Sequence, residues 1–524
     1  MGEIDDRQRS TGSGADGVNV GRLASYLLLA AIFAAAASAI VYELLIGSTS
    51  SYFLGDSVEE FSLTIGFFLF AMGLGSWASR LVQEQLLERF IALEMWLGLV
   101  GGSSVLVLYA AYAYTSQYRY CMILLVVTIG GLIGLELPLL TRILRQSGTL
   151  RTILANVLSM DYLGSLVAAL LFPYLLLPLL GALHTAVVAG LANALVAVSL
   201  LLYFWQHLPA GARGRLALQA GLIVAALVVV GIMSDPFRRR WEDSFYGDRI
   251  VHSEQSSYQR IVLTEWQGDV RLFLDGHLQF SSADEHRYHE ALVHPAMSLT
   301  STRQRVLIIG GGDGLSAREV LKYPEVEVVD LVDLDPGVTD LARRDLRLTR
   351  LNDNALSRRQ LRVHNEDGFT FLQRPHEAYG VIILDLPDPR VEALTKLYSV
   401  EAYRLCQRHL SPGGVVVTQA SSPYYARRTF WSIGATMEAA DLQVTSYHVL
   451  VPAFGEWGFH LGTLTAPTAL SDLELAVPTR FLRPEMLDGM VRFDPDMSPV
   501  PHVAVNHLDR PVLARYYRED WQRW

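Results

Sequence analysis

The chain has 524 residues, more than one compact core accommodates, and 51% of them are hydrophobic. Mean hydropathy is +0.26, high for a water-soluble protein. A formal net charge of -10 argues against a nucleic-acid binder and suits a polycationic ligand only weakly. Cys121 and Cys406 are too far apart in sequence for a disulfide framework or a zinc spacing.

Residues 1–23 are polar and rich in Gly and Ser (STGSGADG). They are expected to be a disordered tail, without the apolar core of a signal peptide. Residues 24–235 then read as a multi-span α-helical membrane domain. Apolar runs of roughly bilayer-crossing length fall at 24–48, 61–80, 91–114, 120–141, 154–180, 184–205 and 216–233, about seven helices.

The arginines of the short loops give the orientation. Arg7, Arg9 and Arg22 precede the first run. Arg80 and Arg89 follow the second, Arg142, Arg145 and Arg151 the fourth, and Arg213 and Arg215 the sixth. Arg119 is the exception on the other side. This places the amino terminus in the cytoplasm, and seven full spans would put the rest of the chain outside. Yet Arg238, Arg239 and Arg240 follow the last run and favour the inside. Either one span is re-entrant or the count is off, with 154–205, which contains Pro173 and Pro178, as the place for it.

Glu43, Glu94, Glu136 and Asp161 fall within the runs. Intramembrane carboxylates are functional candidates by default. The alternative is that Glu43, Glu94 and Glu136 sit near span ends, in the interface, or pair with the arginine side chains close by. Asp161, in SMDYLG, is the one singled out for a polar path. GFFLFAMGLGSWAS and GGLIGLE predict close helix packing.

Charged residues return after Trp241. Residues 242–300 read as a small β domain, in which SYQRIVLTEW and DVRLFLDGHLQF pair antiparallel about a turn at 268–269. Residues 301–524 alternate strand and helix, which predicts an α/β Rossmann-like domain with a mostly parallel sheet. VIILDL (381–386) and GGVVVTQA (413–420) are two further strands.

The stretch VLIIGGGDGLSAREVLKYPEVEVVDLVDLD (306–335) is a buried strand, a glycine turn, a helix and a second strand. Its pattern is G-x-G-x-G with Asp313 inside. The G-x-G-x-x-G of a dinucleotide site is absent, and a carboxylate in the loop would repel a pyrophosphate. Asp333, about 20 residues beyond the turn, is placed to hold ribose hydroxyls. The ligand indicated is a nucleoside with a positive centre, of the S-adenosyl type.

Ligands of open α/β sheets bind at the carboxyl ends of strands. Acids stand at four such ends: Asp313; Asp333 with Asp335; Asp367 after LRVHN; and Asp385 with Asp388 in LDLPDP. Together they would attract a di- or triamine and a sulfonium. The alternative is that some cap the next helix, most plausibly Asp388, ahead of Pro389. Asp385 and Asp388 suit a carboxylate that binds an ammonium and takes its proton as the amine attacks. His289, Glu290 and His294 are spaced H-E-x-x-x-H, off the zinc pattern, so His289 is expected to hydrogen-bond rather than hold a metal.

LDGHLQF, DEHRYHEALVHPAM, VLIIGGGDG, VDLDP, EDGFTFL, LDLPDP and LYSVEAY occur in the order and spacing of the spermidine synthases, the polyamine aminopropyltransferases. The resemblance runs from about residue 250 to 465. The first half resembles the multi-span region fused to some bacterial members. The resemblance implies a small β domain, a Rossmann-like catalytic domain and no metal or cofactor. It implies transfer of the aminopropyl group of decarboxylated S-adenosylmethionine, the co-substrate, to putrescine or a similar diamine, giving spermidine and methylthioadenosine.

Carried over residue by residue, Gln259 would contact the nucleoside, and Tyr288 and His289 would line the amine channel. Asp313 would bind the amino end of the aminopropyl group and Asp333 the ribose, in place of the usual Glu. Asp367 and Gly368 would meet the adenine. Asp385 would accept the proton and Asp388 would hold the substrate ammonium. Leu386 and Pro387 replace the small polar residues of D-S-S-D. A proline usual shortly after this loop is missing from RVEALTK. Phe454 stands where many members have Tyr, with Glu456 a candidate replacement charge and Trp457 close by.

The expected setting is a bacterial cell membrane, multi-pass, with the catalytic domain in the cytoplasm. Expected partners are the diamine, the co-substrate and the bilayer, without nucleic acid. The resemblance to soluble relatives, which commonly form dimers or tetramers, implies a homo-oligomer. A methyltransferase, or a polyamine transporter or sensor with a binding-only second half, are the competing readings.

Overall fold

A computed structural model describes residues 22–54, 57–115, 117–145, 149–465 and 469–523. Residues 1–21, nearly all of the tail expected to be disordered, lie outside the described residues. The chain forms two compact units, Met1–Glu242 and Asp243–Trp524.

The first unit is built of α1 (Arg22–Leu54), α2 (Ser57–Ala78), α3 (Leu86–Tyr114), α4 (Tyr118–Leu144), α5 (Leu150–Leu171), α6 (Leu177–Tyr203) and α7 (Ala210–Tyr246, which runs into the second unit). These helices are apolar nearly all round. Leu69, Phe70, Leu124, Leu166, Leu222 and Ile232 face outward.

Among the described residues, six helical stretches are long and apolar enough to cross a bilayer, and the fifth runs from Leu150 to Tyr203. It is broken at Gly181, whose φ of 70° and ψ of 172° are outside helical values. Thr185 Oγ1 donates to Leu176 O at 3.1 Å. Nine residues of straight helix would hold those positions about 13 Å apart. The chain therefore doubles back at Gly181, and the unit has seven apolar legs.

The arginines pair with acids the sequence did not single out. Arg119 bridges Glu59 at 3.1 Å and Glu60 at 2.7 Å, and Arg215 pairs with Glu88. Glu94 and Glu136 are buried, and neither has an ion pair among the described residues. Pairing with nearby arginines therefore does not account for these two acids.

In the second unit a four-stranded antiparallel sheet comes first: β1 (Arg249–Gln255), β2 (Arg260–Trp266), β3 (Asp269–Leu274) and β4 (His277–Ser281). Two hairpins depart from the expected pattern. The β2–β3 turn is Gln267-Gly268, and Asp269 already pairs with Trp266 as the first residue of β3. Both turn residues have positive φ, 50° and 85°, as a two-residue hairpin matching the strand twist requires. DVRLFLDGHLQF is likewise two strands, folded at Asp275-Gly276 with φ of 49° and 79°.

There follow α8 (Glu285–Leu299), β5 (Arg305–Gly310), α9 (Leu315–Val320), β6 (Val328–Asp333), α10 (Pro336–Arg344), α11 (Leu346–Leu351), β7 (Leu361–Asn365), α12 (Gly368–Leu372) and β8 (Tyr379–Asp385). Then come α13 (Glu392–Thr395), α14 (Val400–His409), β9 (Leu410–Gln419), α15 (Arg427–Glu438), β10 (Gln443–Val451), β11 (Gly455–Thr463), α16 (Pro484–Met490) and α17 (Leu513–Trp521).

The second sheet has seven strands in the order β10-β11-β9-β8-β5-β6-β7. β5 to β9 are mutually parallel, and β10 and β11 add antiparallel. Val306 to Ile309 are buried because both faces of β5 are covered, which is why they read as an unbroken apolar run. The strand order reverses at β5, between β6 and β8, and this switch point opens the crevice that holds the site. One continuous core joins the small sheet (Ile261, Leu263, Phe280) to the large one (Val306, Ile308, Ile383).

Candidate active site

The glycine turn is set by what surrounds it. Gly310 has φ 83°, and a Cβ there would lie 2.0 Å from Asp385 O. A Cβ on Gly312 would lie 2.5 Å from Asp333 Oδ2. Only glycine lets the loop after β5 press between the ends of β6 and β8. Gly312 N donates to Asp333 Oδ2 at 3.0 Å and Gly311 N to Asp385 O at 3.0 Å.

A cavity of about 300 Å³ opens there. Four carboxylates line it: Asp313, Asp333, Asp385 and Asp388. Burial pushes Asp313, Asp333 and Asp388 up to about 6 each. Asp385, at the end of β8, is held on both oxygens. Tyr288 Oη donates to Oδ1 at 2.7 Å and Ser316 Oγ to Oδ2 at 2.6 Å. Asp388 accepts from Tyr517 Oη at 2.9 Å, and its Oδ1 is buried with no hydrogen-bond partner among the described residues. It does not cap a helix. Asp335, Asp345 and Asp367 do.

His289 also faces the cavity, and a chain of charges fixes it. Its Nδ1 lies 2.8 Å from Glu285 Oε2, and Arg318 grips both Glu285 oxygens at 2.9 Å. Burial opposes charge at both residues, but pairing prevails: His289 is pushed up to about 9 and Glu285 down to about 2. His289 is therefore an imidazolium at neutral pH, held for hydrogen bonding. The H-E-x-x-x-H group is split among other tasks. Glu290 accepts from the backbone N–H groups of Arg480, Phe481 and Leu482, and His294 Nε2 lies 2.8 Å from Glu319.

Three expected residues stand back from the cavity. Gln259 donates from Nε2 to Asp335 at 3.0 Å, because that buried carboxylate draws donors from the β1–β2 loop, Ser256 included. Asp367 caps α12 through Thr370 N at 2.8 Å and binds Lys396 at 2.7 Å. Although burial opposes it, those partners hold Asp367 below the usual carboxylate range. Gly368 follows it, packed so that a Cβ would meet Ile309 at 2.5 Å. Glu456 is not a replacement charge in the cavity, since it pairs with His448 at 2.8 Å across the β10–β11 hairpin. Phe454 and Trp457 do line the wall beside Tyr288.

Sequence reasoning missed Ser316, Tyr517, Trp521 and Arg390. Ser316 sits in the first turn of α9, and Tyr517 and Trp521 come from α17, more than 120 residues beyond Asp388. Only Ser316 carried a signal, in the glycine-turn stretch itself. The unusual Leu386-Pro387 pair is anchored by its backbone, with Gln419 Nε2 donating to Leu386 O at 2.7 Å and Tyr398 Oη to Pro387 O at 3.0 Å. Half-buried Arg390 lies in the same wall within electrostatic reach of Asp388, and loss of solvent holds its guanidinium below its ordinary range.

A family profile described as the Spermine/spermidine synthase domain matches residues 285–468. Polyamine aminopropyltransferase 2 of Ralstonia nicotianae is 45% identical over 500 residues, covering 94% of this chain and 98% of that relative. The polyamine aminopropyltransferase of Leptospira interrogans is 40% identical over 486 residues, 92% of this chain and 96% of its own. Polyamine aminopropyltransferase 1 of Streptomyces coelicolor is 41% identical over 517 residues, 96% of each chain. Among solved structures, spermidine synthase from Thermotoga maritima is 26% identical with a TM-score of 0.44, covering 47% of this chain and 85% of that one. With close similarity running through both units, the chain belongs to the polyamine aminopropyltransferases, transferases whose co-substrate is decarboxylated S-adenosylmethionine.

Proposed function

We propose that the acceptor is putrescine and that the products are spermidine and methylthioadenosine. The observation that carries this is the Asp385 carboxylate, held by Tyr288 and Ser316 in a cavity with three further acids. An alkylammonium cannot attack until it loses a proton. Asp385 takes that proton as the amine nitrogen bonds to the aminopropyl carbon. The carbon–sulfur bond breaks, and its electron pair stays on sulfur, so the sulfonium leaves as the neutral thioether. Asp313 and Asp333 favour the cationic donor, and Asp388 holds the amine's far ammonium. Arg390 beyond Asp388 disfavours a third positive charge, which supports a diamine over a triamine.

The test follows methylthioadenosine release by the full chain with diaminopropane, putrescine, cadaverine or spermidine. The highest kcat/KM with putrescine is expected. A higher value with spermidine overturns the acceptor assignment.

We further propose that the first unit spans a bacterial membrane and that the second works in the cytoplasm. The seven apolar legs and their outward leucines support the first point. The cytoplasmic origin of the substrates and Arg238–Arg240 support the second. Reporters at both termini test this. A reporter after Trp524 that is active only outside the cytoplasm overturns it. Termini on opposite sides mean seven crossings, and termini on one side mean a re-entrant leg.

A further inference from the structure

Among the polar side chains that the first unit buries are Tyr42 from α1, Glu94 from α3, Glu136 from α4 and Asn193 from α6. Tyr42, Glu94 and Asn193 are 0% exposed and Glu136 is 5%. They share a depth. At the helical rise, Glu94 stands about 12 Å from the Leu86 end of α3 and Glu136 about 12 Å from the Leu144 end of α4. Asn193 stands about 15 Å from the Tyr203 end of α6. By loop parity, all three ends lie on one side of the bundle.

They also converge laterally. A Cβ on Gly98 would touch Asn193 Cβ at 3.4 Å, and one on Gly101 would strike the Tyr42 ring at 2.3 Å. Gly98 and Gly101 lie one and two turns beyond Glu94 on the same face of α3. Glu136 is within electrostatic reach of Glu94 and Asp161, and the Tyr42 hydroxyl is within reach of both glutamates.

These groups lack the partners buried polar atoms ordinarily have. Both oxygens of Glu94, Oε1 of Glu136, Oη of Tyr42 and both amide atoms of Asn193 are buried with no hydrogen-bond partner among the described residues. By contrast, Glu88 on the same α3 is paired with Arg215. The unmet set is dominated by acceptors, spread over four residues and two carboxylates.

We propose that the helical unit holds a second amine site, in which Glu94, Glu136, Asn193 and Tyr42 receive the ammonium end of a di- or polyamine. The ligand has to bring a positive charge into an apolar layer and several donors to acceptors on different helices. An alkylammonium carries one charge and three N–H donors, whereas a single proton serves one acceptor. The choice of an amine among cations rests on the amine chemistry of the second unit. The site itself rests only on the first.

The test is equilibrium binding of radiolabelled putrescine and spermidine to the full chain in lipid nanodiscs. Two amines per chain are expected for the native protein, and one for a chain carrying Asp385→Asn and Asp388→Asn. Adding Glu94→Gln and Glu136→Gln should weaken the remaining site at least tenfold, with nucleoside binding and monodisperse elution showing that the chain is folded. If the Asp385→Asn, Asp388→Asn chain binds no amine, or binds it equally well without the two glutamates, the proposal is overturned.

A second measurement needs no variants. Dicyclohexylcarbodiimide labels carboxyls in apolar surroundings, and spermidine should protect the peptides containing Glu94 and Glu136 at least fivefold. Labelling that responds to pH but not to spermidine would mean a proton site and would overturn the amine assignment. Failure of aminopropyl transfer to putrescine would bear on the catalytic acceptor alone, because neither measurement depends on turnover.

Discussion

Glu285 and Glu94 are both glutamates on helices, 4% and 0% exposed, and they meet opposite circumstances. Glu285 is wired on both oxygens, to Arg318 and to His289. Glu94 has no partner on either. The same contrast holds for Asp385, fixed by Tyr288 and Ser316, against Glu136. A catalytic carboxylate has to be aimed before substrate arrives, so its surroundings supply the donors. A carboxylate left bare in an apolar bundle is costly to the fold and makes sense only if something else supplies them.

The largest expected effect breaks the contrast on the catalytic side. Asp385→Asn can accept only one of the two hydroxyl hydrogen bonds, presents N–H at the other position, and cannot take a proton. Methylthioadenosine release should fall about 10²- to 10⁴-fold while nucleoside binding by calorimetry persists.

Next comes Glu285→Gln, which takes the carboxylate from His289 and one of the two carboxylates from Arg318, Glu319 remaining at 2.8 Å. A loss of about 3–5 kcal/mol in chemical denaturation is expected. In amine-free protein, Glu94→Gln should hold or raise the thermal midpoint, the opposite sign for the same substitution. pH sharpens this. Folded His289 keeps its proton up to about 9, against an ordinary value of 6.5. The stability it adds is complete below pH 6.5 and is lost as pH rises through 9. Glu285→Gln should flatten that fall.

A smaller effect concerns the amine end of the cavity. Asp388 is pushed up to about 6, so its charge, which in the proposed reaction holds the ammonium, is lost as pH falls through 6. KM for the diamine should climb below pH 6, and Asp388→Asn should give a KM that is high throughout. Smallest is Tyr517→Phe, which removes one hydrogen bond to Asp388. About 1 kcal/mol, roughly fivefold in amine KM with kcat little changed, is expected.

Much of the second unit was legible because a strand buried on both faces has to be written as an unbroken apolar run. VLIIG and VIILD could hardly be anything else, and the acids at their ends fell where the switch point is. The hairpin turns were misplaced by a residue or merged, since Gln267 and Asp275 adopt positive φ without being glycine. The resemblance alone assigns Asp367 and Gln259 to the ligand, and the structure adds their local partners, Thr370 with Lys396 and Asp335. Ser316 was hidden behind its louder glycines. Tyr517 and Trp521 were out of reach, because nothing in α17 says which distant loop it will cover. In the first unit, apolar runs gave the helices, but only the tertiary structure could separate Glu88, which has an arginine, from Glu94, which has none.

Consider finally α8. Within four of its turns Tyr288 reaches β8, His289 answers to Arg318 through Glu285, Glu290 gathers three backbone amides near residue 481, and His294 engages Glu319. A helix fastened at so many unrelated points cannot slide or roll by degrees. It behaves as a crossbar, so a disturbance at any one fastening is felt at the others. The cavity wall thus inherits its alignment from residues that never face a substrate. Improving this enzyme by altering α8 one position at a time should prove harder than altering the loops it braces.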